Sequence, residues 1–339
     1  MIDSVEVKLR LDDTQNQKKI ILKADHIKKY FPVKSGILSR EVKYVKAVDD
    51  ISLEIFEGET FSLVGESGSG KSTLGRALLR IQEPDEGTIS FDGKDITAMN
   101  RQQMKDVRKD MQVIYQDPFG SLNPRMKVID LIAEPLDINN LYRGKERVER
   151  VIELMELVGL DPSRRNRYSH EFSGGQRQRI GIARAIALNP KFILADEAVS
   201  ALDVSVQAQV VNLMKDLQKE LGLTYLFIAH GLNIVRYISD RVGVMYLGKL
   251  VEVGNVEDIY SRPAHPYTNA LIQTNPNPNP RSRREKLILK GEIPSPSNPP
   301  SGCRFHTRCP IASDKCKEVS PELREILPGR LVACHYPLI

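Results

Sequence analysis

The chain has 339 residues, of which 41% are hydrophobic, so it is long enough for one large domain with a full core and an appendage. Its net charge of +5 is too small to argue for a nucleic-acid partner, because the basic residues are scattered among nearly as many acidic ones. No apolar run approaches the roughly 18 residues of a membrane span, and no signal peptide opens the chain. We therefore expect a cytosolic protein whose membrane role, if any, depends on partner subunits.

The N-terminal part of the chain predicts a small antiparallel sheet. We expect residues 1–20 to be flexible, because they are polar, and a strand-like region to run from Ile20 toward Phe31. A basic loop is predicted over residues 32–46. Two further strands of this sheet are predicted from short apolar or alternating runs, at residues 51–55 and 88–91.

A phosphate-binding sequence stands between a predicted strand and a predicted helix. Residues 60–64 form a short apolar run typical of a buried strand, and apolar residues follow it at helical spacing. Glycines in the intervening loop allow backbone N–H groups to turn around phosphate oxygens, and the helix N-terminus adds its positive dipole end. The stretch fits G-x-x-x-x-G-K-[ST] and comprises Gly65, Glu66, Ser67, Gly68, Ser69, Gly70, Lys71, Ser72 and Thr73.

This loop predicts roles for two of its side chains and for an aromatic residue nearby. Lys71 would reach the β- and γ-phosphates of a nucleotide, and the Ser72 hydroxyl would bind Mg²⁺. An aromatic ring of the N-terminal region could stack on the base. Phe31 is the first candidate, Tyr30 and Tyr44 are alternatives, and an ordinary core role stays open for each of them.

The middle of the chain predicts a helical insert and then alternating strands and helices. Residues 120–170 are mostly helical and belong to a subdomain that we place at about residues 117–180. A helix at residues 180–188 is stopped by Asn-Pro, and another spans about residues 206–221. With buried strands at residues 192–195 and 224–229, this order predicts a largely parallel sheet whose site lies at the carboxyl ends of the strands.

Four polar side chains follow predicted strands and suit nucleotide hydrolysis. Asp196 can hold Mg²⁺, and Glu197, one residue on, can polarise an attacking water as a general base. His230 ends another strand and can place a donor near the γ-phosphate, while Gln116 can bridge Mg²⁺ or water to the helical insert. Each residue alone is a weak signal; their joint order along the chain is the specific feature.

The C-terminal part of the chain differs in composition. Residues 271–301 are rich in proline, asparagine and serine, which predicts a linker, and residues 302–339 form a short tail. All the cysteines lie in this tail, and such clustering in a reducing compartment argues for a metal rather than disulfides. Zinc, an iron–sulfur cluster and free thiols or a disulfide all stay open for Cys303, Cys309, Cys316 and Cys334.

These motifs together resemble the ATP-binding-cassette family. Its signature sequence is present as Ser173, Gly174, Gly175 and Gln176, between the phosphate-binding loop and the Asp-Glu pair. The resemblance covers about residues 22–260. It implies an α/β fold with a RecA-like P-loop core, an antiparallel β subdomain, a helical subdomain and a C-terminal extension, the nucleotide-binding domain occupying residues 21–270.

The resemblance can be narrowed to the ATPase subunits of bacterial oligopeptide and dipeptide importers. The segments that carry it are residues 116–125, 265–268 and 302–306, and the Asn-Pro-Arg form at residues 123–125 is similar to the second of two paired ATPase subunits. Ala198 replaces the usual proline after Asp-Glu, Gly231 replaces the usual aspartate after the histidine, and Phe172 replaces a common leucine. The change at Gly231 puts one polar contact at the dimer interface in doubt.

The family's mechanism implies two ATPase protomers that pair head to tail around two ATP molecules with Mg²⁺. The signature of one protomer would complete the γ-phosphate cage of the other, and Asp203 would touch the opposite site. Implied partners are a second related ATPase, two transmembrane permease subunits and an extracytoplasmic peptide-binding protein, with no nucleic acid. The chain would lie peripherally on the cytoplasmic face of the membrane. In each site, Mg²⁺ would be held by Ser72, Gln116 and Asp196, and catalysis would involve Glu197, His230, Gln116 and Lys71.

Relatives with this cysteine-containing tail are associated with a [4Fe-4S] cluster, which the resemblance therefore favours over zinc. The pair Cys309-Pro310 is similar to the Cys-Pro of bacterial ferredoxins, whereas the spacing lacks the paired C-x2-C of structural zinc sites. The centre would staple a segment too short and proline-rich to bury much core.

Two functions of other classes remain as alternatives. A soluble cassette ATPase serving ribosomes or DNA repair usually carries two cassettes or a long coiled-coil insertion, whereas this chain has one motif set. A nucleotide-gated metal or redox sensor would need an exposed, redox-active centre in the tail. The motifs favour an ATPase subunit of a peptide importer over both.

Overall fold

The computed structural model describes residues 18–34, 42–117, 120–229, 231–274 and 291–339. Its strands are β1 (Ile20–Lys34), β2 (Val42–Phe56), β3 (Thr60–Val64), β4 (Glu86–Phe91), β5 (Lys94–Asp95), β6 (Met111–Ile114), β7 (Phe192–Asp196), β8 (Thr224–Ile228), β9 (Arg241–Tyr246), β10 (Lys249–Asn255), β11 (Arg324–Leu327) and β12 (Arg330–Val332). Its helices are α1 (Lys71–Leu78), α2 (Arg101–Asp110), α3 (Val128–Ile138), α4 (Gly144–Leu157), α5 (Gly174–Ile186), α6 (Val204–Leu221), α7 (Leu232–Ile238), α8 (Val256–Ser261), α9 (Pro266–Gln273) and α10 (Asp314–Glu318).

These strands form two sheets. The larger has the order β11-β12-β10-β9-β3-β8-β7-β6, and its strands from β9 to β6 pair in parallel. The smaller has the order β2-β1-β4-β5 and pairs antiparallel. Both the parallel core and the antiparallel subdomain predicted from the sequence are therefore confirmed.

The central strands are buried on both faces, which explains why their sequences are continuously apolar. Phe192 and Leu194 of β7 pack with α1 and the antiparallel sheet, whereas Ile193 and Ala195 pack with the helical side. This alternation follows from the two-residue period of a strand. The sheet thus separates two cores and leaves its carboxyl edge to carry polar residues.

The antiparallel sheet is more extensive than the sequence predicted. The residues from 42 to 46, expected in a basic loop, belong to β2, which pairs with β1 along most of its length. Residues 32–34 of the same predicted loop belong to β1, whereas residues 35–41 and most of the N-terminal segment lie outside the described residues. Tertiary pairing with β1 extends this strand past the point where local propensity predicts a loop.

The helical subdomain contains α3, α4 and the first part of α5. The helix predicted at residues 180–188 begins earlier, because Ser173 caps its N-terminus and Gln176 completes a capping box. The prediction missed this start because two glycines open the helix. No helix in the described parts of the chain has the length and apolarity needed to cross a membrane.

The C-terminal segment is integrated into the main sheet rather than forming a separate tail. Strand β12 pairs with β10, and Phe305, only 1% exposed, packs against Tyr246 and Tyr267 at centroid distances of 5.3 Å each. The expectation that this segment buries little core is therefore wrong. Composition alone could not reveal that the segment uses the edge of the cassette's own sheet.

A buried ion pair fastens this segment. Glu252 of β10 is 0% exposed and accepts hydrogen bonds from the N–H groups of Ala264 and His265, at 2.9 and 2.8 Å. Arg330 of β12 donates to the same carboxylate at 2.8 Å. Removing one partner of a buried pair leaves an uncompensated charge.

We expect Arg330→Met to lower the free energy of unfolding by about 3 kcal/mol, because the buried Glu252 carboxylate loses its cationic partner. Arg236→Met, which breaks an exposed pair with Glu257, is the matched control and should cost under about 1 kcal/mol. Urea unfolding of the two variants measures the difference. Equal midpoints would contradict the role assigned to the Glu252 pair.

Candidate nucleotide-binding and hydrolysis site

The phosphate-binding loop joins β3 to α1 and approaches other backbone segments so closely that it needs glycine. A Cβ on Gly65 would lie 2.2 Å from the carbonyl oxygen of Met245, and one on Gly70 would lie 1.9 Å from that of Ala47. Gly65, Gly68 and Gly70 also have φ values of 149°, 75° and 102°, which side-chain-bearing residues rarely adopt. Sterics and backbone conformation together fix the shape of the loop.

Lys71 is folded against this loop. Its ammonium donates to the carbonyl oxygens of Gly65 at 2.9 Å and Glu66 at 3.0 Å, and to the Ser69 hydroxyl at 3.4 Å. Burial lowers the pKa of Lys71, and the nearby carboxylates of Glu197 and Asp196 act in the opposite direction. The amine is therefore positioned at the concave side of the loop, where an anion would gain most from it.

Two of the three predicted Mg²⁺ ligands, Ser72 and Asp196, are in contact. The Ser72 hydroxyl, in the first turn of α1, donates to Asp196 Oδ1 at 2.7 Å, and the Asp196 side chain is 5% exposed. A hydroxyl and a carboxylate are hard oxygen donors of the kind that Mg²⁺ prefers. These residues therefore fit a magnesium site.

Arg76 is a site residue that sequence reasoning missed. Its guanidinium donates from Nε and Nη2 to Asp196 Oδ2, at 3.2 and 3.0 Å. Arg76 lies four residues after Ser72, so the helical period places both on one face of α1. That spacing was the available signal. Both carboxylate oxygens of Asp196 are engaged as a result.

Glu197 lies directly beyond Asp196 and has a φ of 53°, in the left-handed region. Its N–H donates to the carbonyl oxygen of Ile228 at 3.0 Å, which ties this turn to the end of β8. The residue lines a pocket of about 420 Å³ shared with Lys71, Ser72 and Phe31. The proposed base and the phosphate-binding groups therefore border the same space.

Gln116 and His230 complete the predicted catalytic set. Gln116 is exposed and comes two residues after β6, whose Ile114 pairs with Ala195, so it lies at the same edge of the sheet as Asp196. Gln116 does not line the pocket that contains Glu197. His230 lies outside the described residues, although β8 leads to this edge.

Among the aromatic candidates, Phe31 lines the pocket. The hydroxyl of Tyr30 instead donates to Asp49, and Tyr44 is 52% exposed and does not line the pocket. Val45, Ala47 and Pro296 also line it and were not identified from the sequence. Small apolar residues and a linker proline carry no local signal of such a role.

The signature residues form the N-terminus of α5 and do not line this pocket. The Ser173 hydroxyl accepts from the Gln176 N–H at 3.3 Å, and Gln176 Oε1 accepts from the Ser173 N–H at 3.2 Å. Gly175 needs its missing Cβ, which would lie 2.4 Å from Val206 of the neighbouring helix α6. Within one chain, the signature residues therefore lie outside the pocket formed by the phosphate-binding loop.

Asp203 caps the helix that packs against the signature. Its carboxylate accepts from the Ser205 hydroxyl at 2.7 Å and from the Val206 N–H at 3.0 Å. The Ser205 hydrogen bond is the main cause of the lowered pKa of Asp203. The side chain is exposed next to the signature, so both features belong to one surface.

The four cysteines converge, although not as a single-ion site. All are free thiols and line one small enclosed pocket, with His265 and His306 among the other lining residues. No group of three or more His, Cys, Asp or Glu side chains in the described ranges is arranged to hold a metal ion. Burial raises the pKa of the Cys303 thiol to about 11.

Burial and backbone hydrogen bonding have opposite effects on three of these thiols. Burial raises the pKa of Cys303, Cys309 and Cys334, and backbone hydrogen bonds from the residues two positions further on act in the opposite direction. For Cys334 the donor is the Tyr336 N–H, at 3.4 Å from the sulfur. Such bonds stabilise thiolates and tune iron–sulfur centres.

Comparison with known proteins agrees with this geometry. The family described as "ABC transporter" matches residues 48–200, and "Oligopeptide/dipeptide transporter, C-terminal region" matches residues 251–316. The chain is 55% identical to the oligopeptide transport ATP-binding protein AppF of Bacillus subtilis, over 95% of this chain and 99% of that one. It is 49% identical to the dipeptide transport ATP-binding protein DppF of Haemophilus influenzae, over 93% and 96% of the two chains.

Solved structures show the same fold. The dimeric ATP-binding cassette MJ0796, in a post-hydrolysis state bound to ADP and Pi, aligns with a TM-score of 0.60 at 30% identity. The alignment covers 69% of this chain and 98% of that cassette. The chain therefore belongs to the ABC transporter ATPase family and carries the C-terminal region of its oligopeptide and dipeptide transporter members.

Proposed function

We propose that this chain is the ATP-hydrolysing subunit that powers peptide import through partner membrane subunits. The observation that carries the proposal is a sequence identity of about 50% to peptide-transport ATP-binding proteins. This similarity extends over nearly the full length of the chains and includes the C-terminal region. The site supports it, because a phosphate loop, a hydroxyl–carboxylate pair and a second carboxylate border one another at the sheet edge.

In the proposed reaction Lys71 would bind the β- and γ-phosphates, while Ser72, Asp196 and Gln116 would hold Mg²⁺. The metal would neutralise charge on the phosphates. Glu197 orients and polarises the attacking water, and His230 donates to the γ-phosphate. Phe31, which lines the pocket, would stack on adenine. In this arrangement Arg76 binds Asp196 Oδ2, and Ser72 binds Asp196 Oδ1.

Two protomers would complete each other's sites in a head-to-tail pair. The signature helix begins on an exposed surface, away from the pocket of its own chain, which fits a role on the ATP of another protomer. A helix N-terminus with free N–H groups suits a γ-phosphate. Because only the closed pair supplies ligands from both chains, ATP would favour closure. We propose a second, related ATPase as that partner.

The membrane partners would dock beside the helical subdomain. A cavity of about 830 Å³ lies between α2 and β6 on one side and α3 and α5 on the other. Tyr115, next to Gln116, lines it, so a permease segment seated there would respond to movement of the Gln116 loop. The chain would thus lie on the cytoplasmic face of the membrane, with an extracytoplasmic peptide-binding protein joining through the permease subunits.

The four cysteines would hold one metal centre, a [4Fe-4S] cluster rather than Zn²⁺. The spacing of the cysteines lacks the paired C-x2-C of structural zinc sites, and Cys309-Pro310 is similar to the Cys-Pro of bacterial ferredoxins. The shared pocket and the Tyr336 N–H that donates to Cys334 Sγ support a shared centre.

Glu197→Gln should bind MgATP yet hydrolyse it at least about 10²-fold more slowly, because a positioned base is lost. The measurement is ATP turnover in the assembled complex, alongside nucleotide binding. Glu257→Gln, on an exposed surface pair, is the matched control and should keep normal turnover. Hydrolysis by Glu197→Gln near the wild-type rate would show that the base lies elsewhere.

The isolated chain should hydrolyse ATP poorly, since each site lacks the signature of another protomer. Adding a related ATPase together with the permease subunits should restore turnover. Light scattering during the assay gives the oligomeric state. Full activity in a strictly monomeric sample is the result that this proposal does not allow.

Cys309→Ser should loosen the C-terminal segment and lower assembly, while nucleotide binding at residues 65–73 survives, because thiolate coordination closes otherwise open loops. Thr307→Ser, exposed in the same segment, is the control. Iron, sulfide and zinc analysis of anaerobically purified protein identifies the centre. About four irons and four sulfides per chain support the cluster; one zinc, or no metal, argues against it.

A further inference from the structure

An ion pair joins the C-terminal segment to the phosphate-binding loop. Arg308 Nη1 donates to Glu66 Oε2 at 2.8 Å, and Arg308 Nη2 donates to Glu66 Oε1 at 3.1 Å. The two side chains are 8% and 24% exposed. Two parallel bonds between a guanidinium and a carboxylate are strong and geometrically specific. Residues 242 positions apart are thereby held in one orientation.

The surroundings fix both members of the pair. The Arg308 guanidinium lies 5.9 Å from the ring of Tyr246, which packs against Tyr267 at 4.7 Å. The hydroxyl of Tyr267 accepts a hydrogen bond from the Glu66 N–H at 2.9 Å. Residues outside the loop therefore form hydrogen bonds with both the side chain and the backbone of Glu66.

Further contacts run alongside this pair. Arg304 donates to Asp49 and to the carbonyl oxygen of Leu247. The Lys46 N–H donates to the carbonyl oxygen of Pro296 at 3.3 Å, and Pro296 lines the nucleotide pocket beside Ser67. The C-terminal segment thus forms part of the wall of the site.

Glu66 is a carboxylate in a loop shaped to bind a polyanion. A negative charge near the phosphates opposes their binding, and a cation held against that carboxylate cancels the effect. We propose that Arg308 is a positioning residue for nucleotide binding, which neutralises and orients Glu66 so that the phosphate-binding loop accepts the triphosphate. The inference rests on nucleotide binding at this loop and not on peptide transport.

A double-mutant cycle on the full-length chain tests the proposal. A fluorescent ATP analogue with Mg²⁺ is titrated into wild type, Arg308→Ala, Arg308→Lys, Glu66→Gln and the Glu66→Gln/Arg308→Ala double variant. We expect Arg308→Ala to raise Kd about tenfold in the wild-type background, a change equivalent to about 1.4 kcal/mol. In the Glu66→Gln background the same substitution should change Kd less than about threefold, because no charge is left to neutralise.

Two controls separate positioning from a general loss of structure. Lys317→Ala removes a cation from an exposed pair in the same segment and should leave Kd unchanged. Arg308→Lys keeps the charge but not the paired bonds, so its Kd should fall between those of wild type and Arg308→Ala. In the assembled ATPase, Arg308→Ala should raise KM while kcat changes little.

The outcomes are distinguishable. An unchanged Kd in Arg308→Ala would overturn the inference, and so would an equal loss of affinity in both backgrounds, which indicates a misfolded segment rather than neutralisation of Glu66. Failure of the wild-type chain to bind the analogue would overturn the nucleotide site as well. Failure of peptide transport alone would leave the inference standing.

Discussion

The close packing of two backbone segments against the phosphate-binding loop is the constraint on which the rest of the site depends. Gly70 leaves no room for a Cβ against Ala47, and Gly65 leaves none against Met245. The Gly248 N–H donates to the Ser69 carbonyl at 2.9 Å, and the Asp49 N–H donates to the Gly248 carbonyl at 2.8 Å. The loop, the middle of β2 and the β9–β10 turn therefore have fixed positions relative to one another.

This fixed loop sets the geometry of the chemical groups at the sheet edge. The position of the loop fixes the direction of helix α1. Ser72 and Arg76 of this helix therefore contact Asp196 at the end of β7. The parallel pairing of β7 with β8 and β6 brings Glu197 and Gln116 to the same edge. The groups that we propose for catalysis thus come from separate elements, and the register of one sheet brings them together.

The C-terminal segment packs against the main sheet and reaches the phosphate-binding loop. Its strand β12 joins the main sheet by pairing with β10, next to the buried Glu252–Arg330 ion pair, and Phe305 packs beside Tyr246 and Tyr267. From this base, Arg308 reaches Glu66 in the phosphate-binding loop. The segment that contains the cysteines is consequently packed against the loop that borders the nucleotide pocket.

The sequence by itself determined the features that depend on local pattern. Residues 60–73 encode a strand, a glycine-rich turn and a helix in consecutive order, and apolar runs before Asp196 and residue 230 encode buried strands, because period and turn chemistry act over a few residues. Only the tertiary structure decided which aromatic residue lines the pocket, that Arg76 holds Asp196, that the last strands join the main sheet, and that Arg308 meets Glu66. Those contacts depend on strand register and packing between residues that are distant in sequence, which no local pattern specifies.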